Sequence, residues 1–336
     1  MNQKVLNSIA VRSLLLMALG AALLLAPRPA AADELKWDAA KGQALLRKAA
    51  SGDNIRFMWW NVHNGMTNSA PEPTLSRNIS NLIHSELAPD VLAFGEYRVE
   101  NLGPAGLDDM LKMYPNHLEE SYPASPGYGL GIYSRYPFEI LSVDTLDYAP
   151  LSGMNSSSLA AYHLDWCGTS GICLRPLVIV RLNVKGKEID LVVVHLFDAW
   201  RKYRRDNGVL STAWQVMLGS DNPLWFQIER FRGMMAARLG KQLTDGNVVI
   251  MGDFNMPKSV FGVKTDGYDA LSEGLVDALS GNTSTFPAHG SEEHSKYPSM
   301  QIDHVFISPK IKVQHGYVLP LRGSDHYPIY VGISPP

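Results

Sequence analysis

The feature that most narrows the possible folds is a recurring unit, a short apolar run of strand length that closes on a polar side chain. Ile55–Trp60 leads to Asn61, Val91–Gly95 to Glu96, Val192–Val194 to His195 and Val248–Met251 to Asp253. Runs this uniformly apolar suit strands buried on both faces of a sheet. Leu75, Ile79, Leu82, Ile83 and Leu87 recur at helical spacing and predict a helix that stops before Pro89. Ile228, Phe231, Met235 and Leu239 mark a second helix. Pro176–Val184 and Ile189–Leu196 predict a hairpin around Lys185-Gly186, and Leu130–Tyr133, Asp303–Ile307 and Tyr327–Ile333 add strands. Strands interleaved with helices and hairpins indicate an α/β protein with mixed sheets. Ligand sites in such proteins gather at the carboxyl ends of strands. Asn61, Glu96, His195 and Asp253 are therefore expected on one rim. Asp303 and Asp325-His326 precede their strands, which suits strands running the other way to the same rim.

The first 32 residues read as a secretory signal peptide. Lys4 and Arg12 precede an apolar run from Leu14 to Ala26, and Ala30–Ala32 supply small residues before the expected mature start near Asp33. The run is short for a membrane span and is soon followed by Pro27 and Pro29. Residues 33–52 form a lead-in with a helical stretch near Ala39–Ala50, and 53–334 form one domain. The expected location is outside the cytoplasm, secreted or periplasmic, as a monomer without a stable membrane anchor. Without Lys4, Arg12 and Arg28 the charge balance is 27 basic against 33 acidic residues, or −6. Bulk charge of that sign does not favour indiscriminate binding to nucleic acid, so a polyanion needs a local basic patch or a metal. Cys167 and Cys173 lie close together in a Gly/Ser-rich loop, which in an oxidising compartment suggests a short-loop disulfide.

The polar residues suggest phosphate chemistry. Asp253 and Asn255, in Gly252-Asp253-Phe254-Asn255, can point into one cleft to hold water and a phosphate oxygen, although Asp and Asn also favour plain turns. In Ser324-Asp325-His326, the imidazole can deprotonate water near neutral pH and the carboxylate can ligate a hard cation. Asp303, across an adjacent strand, can orient His326. Glu96 calls for a divalent cation or a salt bridge to Arg98, and Asn61 for a metal or a water. His195 sits where a phosphate-oxygen donor would be useful.

Taken in order, Trp60–Gly65, Gly95–Arg98, Val193–Leu196, Gly252–Asn255, Ile302–Val305 and Ser324–Pro328 resemble the endonuclease/exonuclease/phosphatase superfamily across about residues 53–334. The resemblance implies a four-layer α/β sandwich, two mixed β-sheets packed face to face with helices outside. It implies Glu96 as principal ligand of Mg²⁺ or Mn²⁺, supported by Asn61 and Asp325. Asp253 and Asn255 position water and phosphate, His326 with Asp303 acts as base or phosphate contact, and His195 stabilises developing charge. Water then attacks phosphorus in line, with the cation stabilising the transition state.

His195 resembles the histidine of pancreatic-type deoxyribonucleases, bacterial sphingomyelinases, inositol-phosphate phosphatases and deadenylases. Arg98 and Arg175 resemble substrate-facing arginines of the secreted deoxyribonucleases, and Tyr128 is a phosphate-contacting tyrosine or a loop aromatic. Phe197–Trp225 carries Arg201, Lys202, Arg204 and Arg205 among Trp200, Tyr203, Trp214 and Trp225. It reads either as a substrate lid or as a helical excursion with its aromatics turned inward. The expected substrate is a phosphate ester, nucleic acid ahead of lipid or inositol phosphate, with a catalytically idle binding protein as the contrasting class.

Overall fold

The computed structural model describes residues 54–335 except 64–65, 68–69, 72, 99–102, 124, 147–173, 197, 199–222, 261, 280, 282, 289–290 and 296. The signal and lead-in segments, the Cys167/Cys173 pair and nearly all of Phe197–Trp225 lie outside the described residues.

In chain order the principal strands are β1 (Ile55–Asn61), β2 (Val91–Tyr97), β3 (Asn116–Tyr122), β4 (Ser125–Ser134), β5 (Phe138–Leu146) and β6 (Arg175–Val184). They continue with β7 (Lys187–His195), β8 (Val248–Asp253), β9 (Val276–Asp277), β10 (Asp303–Ile307), β11 (Val313–Val318) and β12 (Ile329–Ile333). They build two six-stranded sheets, ordered β11-β12-β1-β2-β4-β3 and β9-β10-β8-β7-β6-β5. Each sheet has one parallel pair at its heart, β1 with β2 and β7 with β8, flanked by antiparallel partners. Both parallel strands of each pair therefore end at the same rim.

Alternate residues of the apolar runs face opposite ways, as a pleat requires. Phe57, Trp59, Val91 and Ala93 of the first sheet meet Val178, Val180, Leu191, Val193, Val249 and Met251 of the second in the central core. Met58, Trp60, Leu92 and Phe94 turn outward against helix α1 (Pro73–Ile83) and Met110 of α2 (Gly103–Met113). Val192, Val194, Val248 and Ile250 turn outward against α3 (Pro223–Leu239) and α4 (Asp266–Ser272). The result is the layered α/β sandwich with two mixed sheets. Truncating Phe57 to Ala would open a void between the sheets and cost about 3–5 kcal/mol.

Candidate active site

The rim of the second sheet sets three site residues abreast. Asp253 ends β8, with His195 of β7 in register on one side and Asp303 of β10 on the other. The strands approach closely at Gly252, where a Cβ would lie 2.0 Å from the carbonyl oxygen of Val194. Beyond Asp253 the chain turns through Asn255, which has a φ of 50° that asparagine tolerates. The Asn255 amide N–H donates to Asp253 Oδ1 at 2.8 Å, and its side-chain Nδ2 donates to the carbonyl of Leu196 at 2.8 Å.

On the first sheet the decisive feature is a bulge in β2. The register with β4 shifts between Phe94 and Tyr97, and Glu96 takes a φ of 51°. A non-glycine residue in that region carries strain, which bulges near active sites use to re-aim a side chain. Gly95 makes it possible, because a Cβ there would lie 2.6 Å from the Trp59 ring. Re-aimed, Glu96 accepts a hydrogen bond from Tyr128 through Oε2, while Oε1 lies 3.3 Å from Asn61 Nδ2 and 3.8 Å from His195 Nε2. Asn61 Nδ2 also donates to Asp253 Oδ2 at 3.0 Å, joining the two rims. Ser324 donates to the Asn61 carbonyl at 2.7 Å and so seats Asp325, which pairs with His63 at 3.3 Å.

The two site histidines, His195 and His326, are each held by a side chain from the opposite sheet. His326, just before β12, bonds Asp303 Oδ2 through Nδ1 at 2.8 Å. The expectation that these two sit on adjacent strands needs correcting, since β10 and β12 belong to different sheets and meet across the central core. Trp59 of β1 reaches the same carboxylate, donating to Asp303 Oδ1 at 2.7 Å. In the reverse direction, Tyr122 of β3 approaches His195 Nδ1 at 2.6 Å. Two guanidinium–aromatic contacts complete the wall: Arg175 lies 4.5 Å from the Tyr122 ring centroid and Arg98 5.7 Å from that of Tyr128. Arg98 thus stacks on an aromatic ring in addition to flanking Glu96 in sequence.

Every site residue expected from the sequence is brought into this constellation. Residues outside the expected set join it as well, among them Trp59, His63 and Tyr122. His63 carried a signal, lying two residues after Asn61 in the same block. Tyr122 carried none.

Burial and charge set the protonation of the cluster. Burial pushes His195 down to about 4, so it is neutral near pH 7. Burial also opposes charge on His326, but the bonded carboxylate of Asp303, with Asp325 and Asp253 near, holds it well above the usual imidazole range. Asp303 is correspondingly held low: burial opposes its charge, and His326, Trp59 and Thr285 overcome that. Burial, then the neighbouring charge of Asp303, lifts Asp253 well above the usual carboxylate range. Burial works against Glu96 as well, yet the facing imidazoles and the Tyr128 hydroxyl keep its carboxyl low. His63 rises to about 9 through its bond to Asp325.

Carboxylates crowded in this way suit a cation. One atom each of Asp253, Asp303 and His326 lie within 4.8 Å of one another, a group able to hold a metal. A second set of oxygen donors, Glu96, Asp325 and Asn61, adjoins it. The neighbouring Asp325 works against the charge on Glu96, a repulsion that a bound cation would relieve. The donor chemistry therefore fits a hard divalent ion.

The sequence pattern of the Endonuclease/Exonuclease/phosphatase family matches residues 58–326. The chain belongs to that family. It is accordingly a phosphoesterase by family, and solved structures share its fold at low identity. A family protein from Bacteroides vulgatus is 16% identical with a TM-score of 0.54, covering 85% of this chain and 100% of that one. One from Beutenbergia cavernae is 19% identical with a TM-score of 0.53, covering 84% and 72%. TDP2 of D. rerio, complexed with single-strand DNA product, is 15% identical with a TM-score of 0.52, covering 84% and 100%. No curated protein matches the chain by sequence. Among the described residues, no helix of this family member is long and apolar enough to cross a membrane.

Proposed function

We propose that this phosphoesterase is a Mg²⁺- or Mn²⁺-dependent phosphodiesterase acting on nucleic acid outside the cytoplasm. The observation that carries the chemistry is the convergence of Glu96, Asp253 and Asp325 beside His195 and His326. Glu96, Asp325 and Asn61 would hold the cation. The Asp253–Asp303–His326 group is less suited, because Asp303 and His326 already satisfy each other at 2.8 Å and Trp59 takes the second oxygen of Asp303. When bound, the cation neutralises charge on the phosphate and on the leaving oxygen.

The side chains then divide the work. Asp253, its carboxyl raised by burial and by the neighbouring charge of Asp303, orients the attacking water and takes its proton. Asn255 fixes the rotamer of Asp253 from the backbone. His326, protonated and steadied by Asp303, presents Nε2 to a phosphate oxygen, and His195 faces the same oxygens from the other sheet. Nucleic acid is favoured by Arg98 and Arg175, two guanidinium groups on the wall of the site that can meet phosphates, Arg98 lying beside the half-buried ring of Tyr128. The D. rerio TDP2 complex with single-strand DNA supports the same direction. The basic cluster Arg201–Arg205 and the signal-like segment 1–32 support a polyanionic substrate and export.

The test is turnover of linear DNA, circular DNA, sphingomyelin, inositol phosphates and bis(p-nitrophenyl) phosphate, each with and without EDTA. Metal-dependent cleavage of DNA and of the small diester is expected. Sphingomyelin or inositol phosphate turnover with DNA untouched would overturn the substrate assignment. Sequencing the exported protein should give an N-terminus near Asp33; a retained Met1 would overturn processing.

A further inference from the structure

We propose that Tyr122 is the positioning residue for His195: its hydroxyl donates to Nδ1 and fixes the neutral imidazole with its proton on Nε2. The proposal rests on reading the rim as a phosphoester-hydrolysing site, and it assigns a task to a residue outside the expected set.

The argument is an accounting of protons. Tyr122 is buried, and its oxygen has two neighbours, the backbone N–H of Glu96 at 3.3 Å and His195 Nδ1 at 2.6 Å. The Glu96 N–H can only donate. The phenol has one proton and must place it, because a buried hydroxyl left without an acceptor is costly. The acceptor at hand is Nδ1. A neutral imidazole accepting at Nδ1 carries its proton on Nε2. That N–H faces Asp253 Oδ2 at 3.6 Å and Glu96 Oε1 at 3.8 Å, where a lone pair would be repelled. The competing contact is Asn255 Nδ2, 3.4 Å from Nε2, but its shorter bond is to the Leu196 carbonyl at 2.8 Å. The Arg175 guanidinium over the phenol ring draws density from it and strengthens the hydroxyl as a donor.

A carboxylate in the place of Tyr122 would accept a hydrogen bond from Nδ1–H and favour the imidazolium, as Asp303 does for His326. A phenol instead turns His195 into a fixed neutral donor aimed at the space between the two carboxylates. A phosphate oxygen entering that space meets an N–H whose direction is set in advance.

The test uses EDTA-treated protein labelled with ¹⁵N-histidine, with the His195 signals identified by their loss in His195→Asn. Long-range ¹H–¹⁵N spectra of the native protein should show Nε2 protonated and Nδ1 bare. Tyr122→Phe should abolish that single tautomer and lower kcat about 10- to 100-fold with KM little changed. In a His195→Ala background, Tyr122→Phe should cost nothing further. A native Nδ1–H tautomer, an unchanged tautomer in Tyr122→Phe, or independent effects of the two substitutions would each overturn the proposal. A native Nε2–H tautomer in a protein that hydrolyses no phosphoester would uphold the tautomer assignment and overturn only the functional reading beneath it.

Discussion

His195 and His326 lie within 4 Å of the same oxygen of Asp253, and both are buried, yet their imidazole pKa values shift in opposite directions. Burial disfavours the imidazolium in both. His195 obeys it and drops to about 4, with a phenol against its Nδ1. His326 defies it because Asp303 reaches its Nδ1 from the opposite sheet. Burial, common to the two rings, does not decide their protonation; for His326 the bonded carboxylate of Asp303, with Asp325 and Asp253 near, overrides it. The protein thereby keeps a neutral donor and a charged one beside the same carboxylate, each steadied by a partner from the facing sheet.

The harshest way to break this pair is to remove the cation that would balance the carboxylates around it. Chelation should abolish turnover, and Mg²⁺ or Mn²⁺ should restore it, while Glu96→Gln should remain inactive in either metal. Full activity in EDTA after metal stripping would refute the assignment.

The next test separates the two rings. His326→Ala and Asp303→Ala should each lower kcat by about 10²- to 10⁴-fold in a folded protein. The double variant should be scarcely worse than either single one, because the residues act as a unit. Near-normal turnover by His326→Ala would mean that His195 alone suffices.

A smaller effect is expected where substrate grip changes and both rings are left alone. Neutralising Arg201, Lys202, Arg204 and Arg205 should flatten the salt dependence of kcat/KM on DNA, with little change on a small diester. Equal losses on both substrates would assign that segment a structural role.

The mildest test reads the two histidines through stability. His195 has a folded value below its unfolded one of about 6.5, so its contribution is intact at neutral pH and is lost as pH falls from about 6.5 towards about 4. His326 has a raised value, so its contribution is complete below about 6.5 and is lost as pH rises through the folded value. Urea midpoints of metal-free protein should therefore fall on both sides. His195→Asn should flatten the acid limb and His326→Asn the alkaline one; the same limb flattened by both would erase the contrast.

The rim was legible in the sequence because its residues close apolar runs, and the strand direction carries Asn61, Glu96, His195 and Asp253 to one edge. The apolar strands were legible for the same reason. Less visible were β3 and β5, whose polar and apolar residues mix along exposed or edge positions, the helix α2, which opens on Gly-Pro-Ala-Gly, and the seven-residue helix α4. The bulge that re-aims Glu96 depends on the ring of Trp59 beneath Gly95, a contact between strands that spacing along the chain does not encode. Tyr122 was hidden because its importance arises only when the two sheets face each other, and the placement of Asp303 opposite His326 was misjudged for the same reason.

One feature of the topology also bears on the order in which the rim can assemble. Among the described residues, the last strand, β12, lies between the first, β1, and β11. A polypeptide emerging from its N-terminus therefore carries β1 with an unsatisfied edge until residue 333 has appeared. Asn61 awaits Ser324, 263 positions later, and Trp60 awaits the His326 carbonyl, 266 positions later. Closures of that span form late and slowly in folding. A chain clipped before Ser324 would lack the contacts that seat Asn61 and Trp60, and with them the site residues Asp325 and His326.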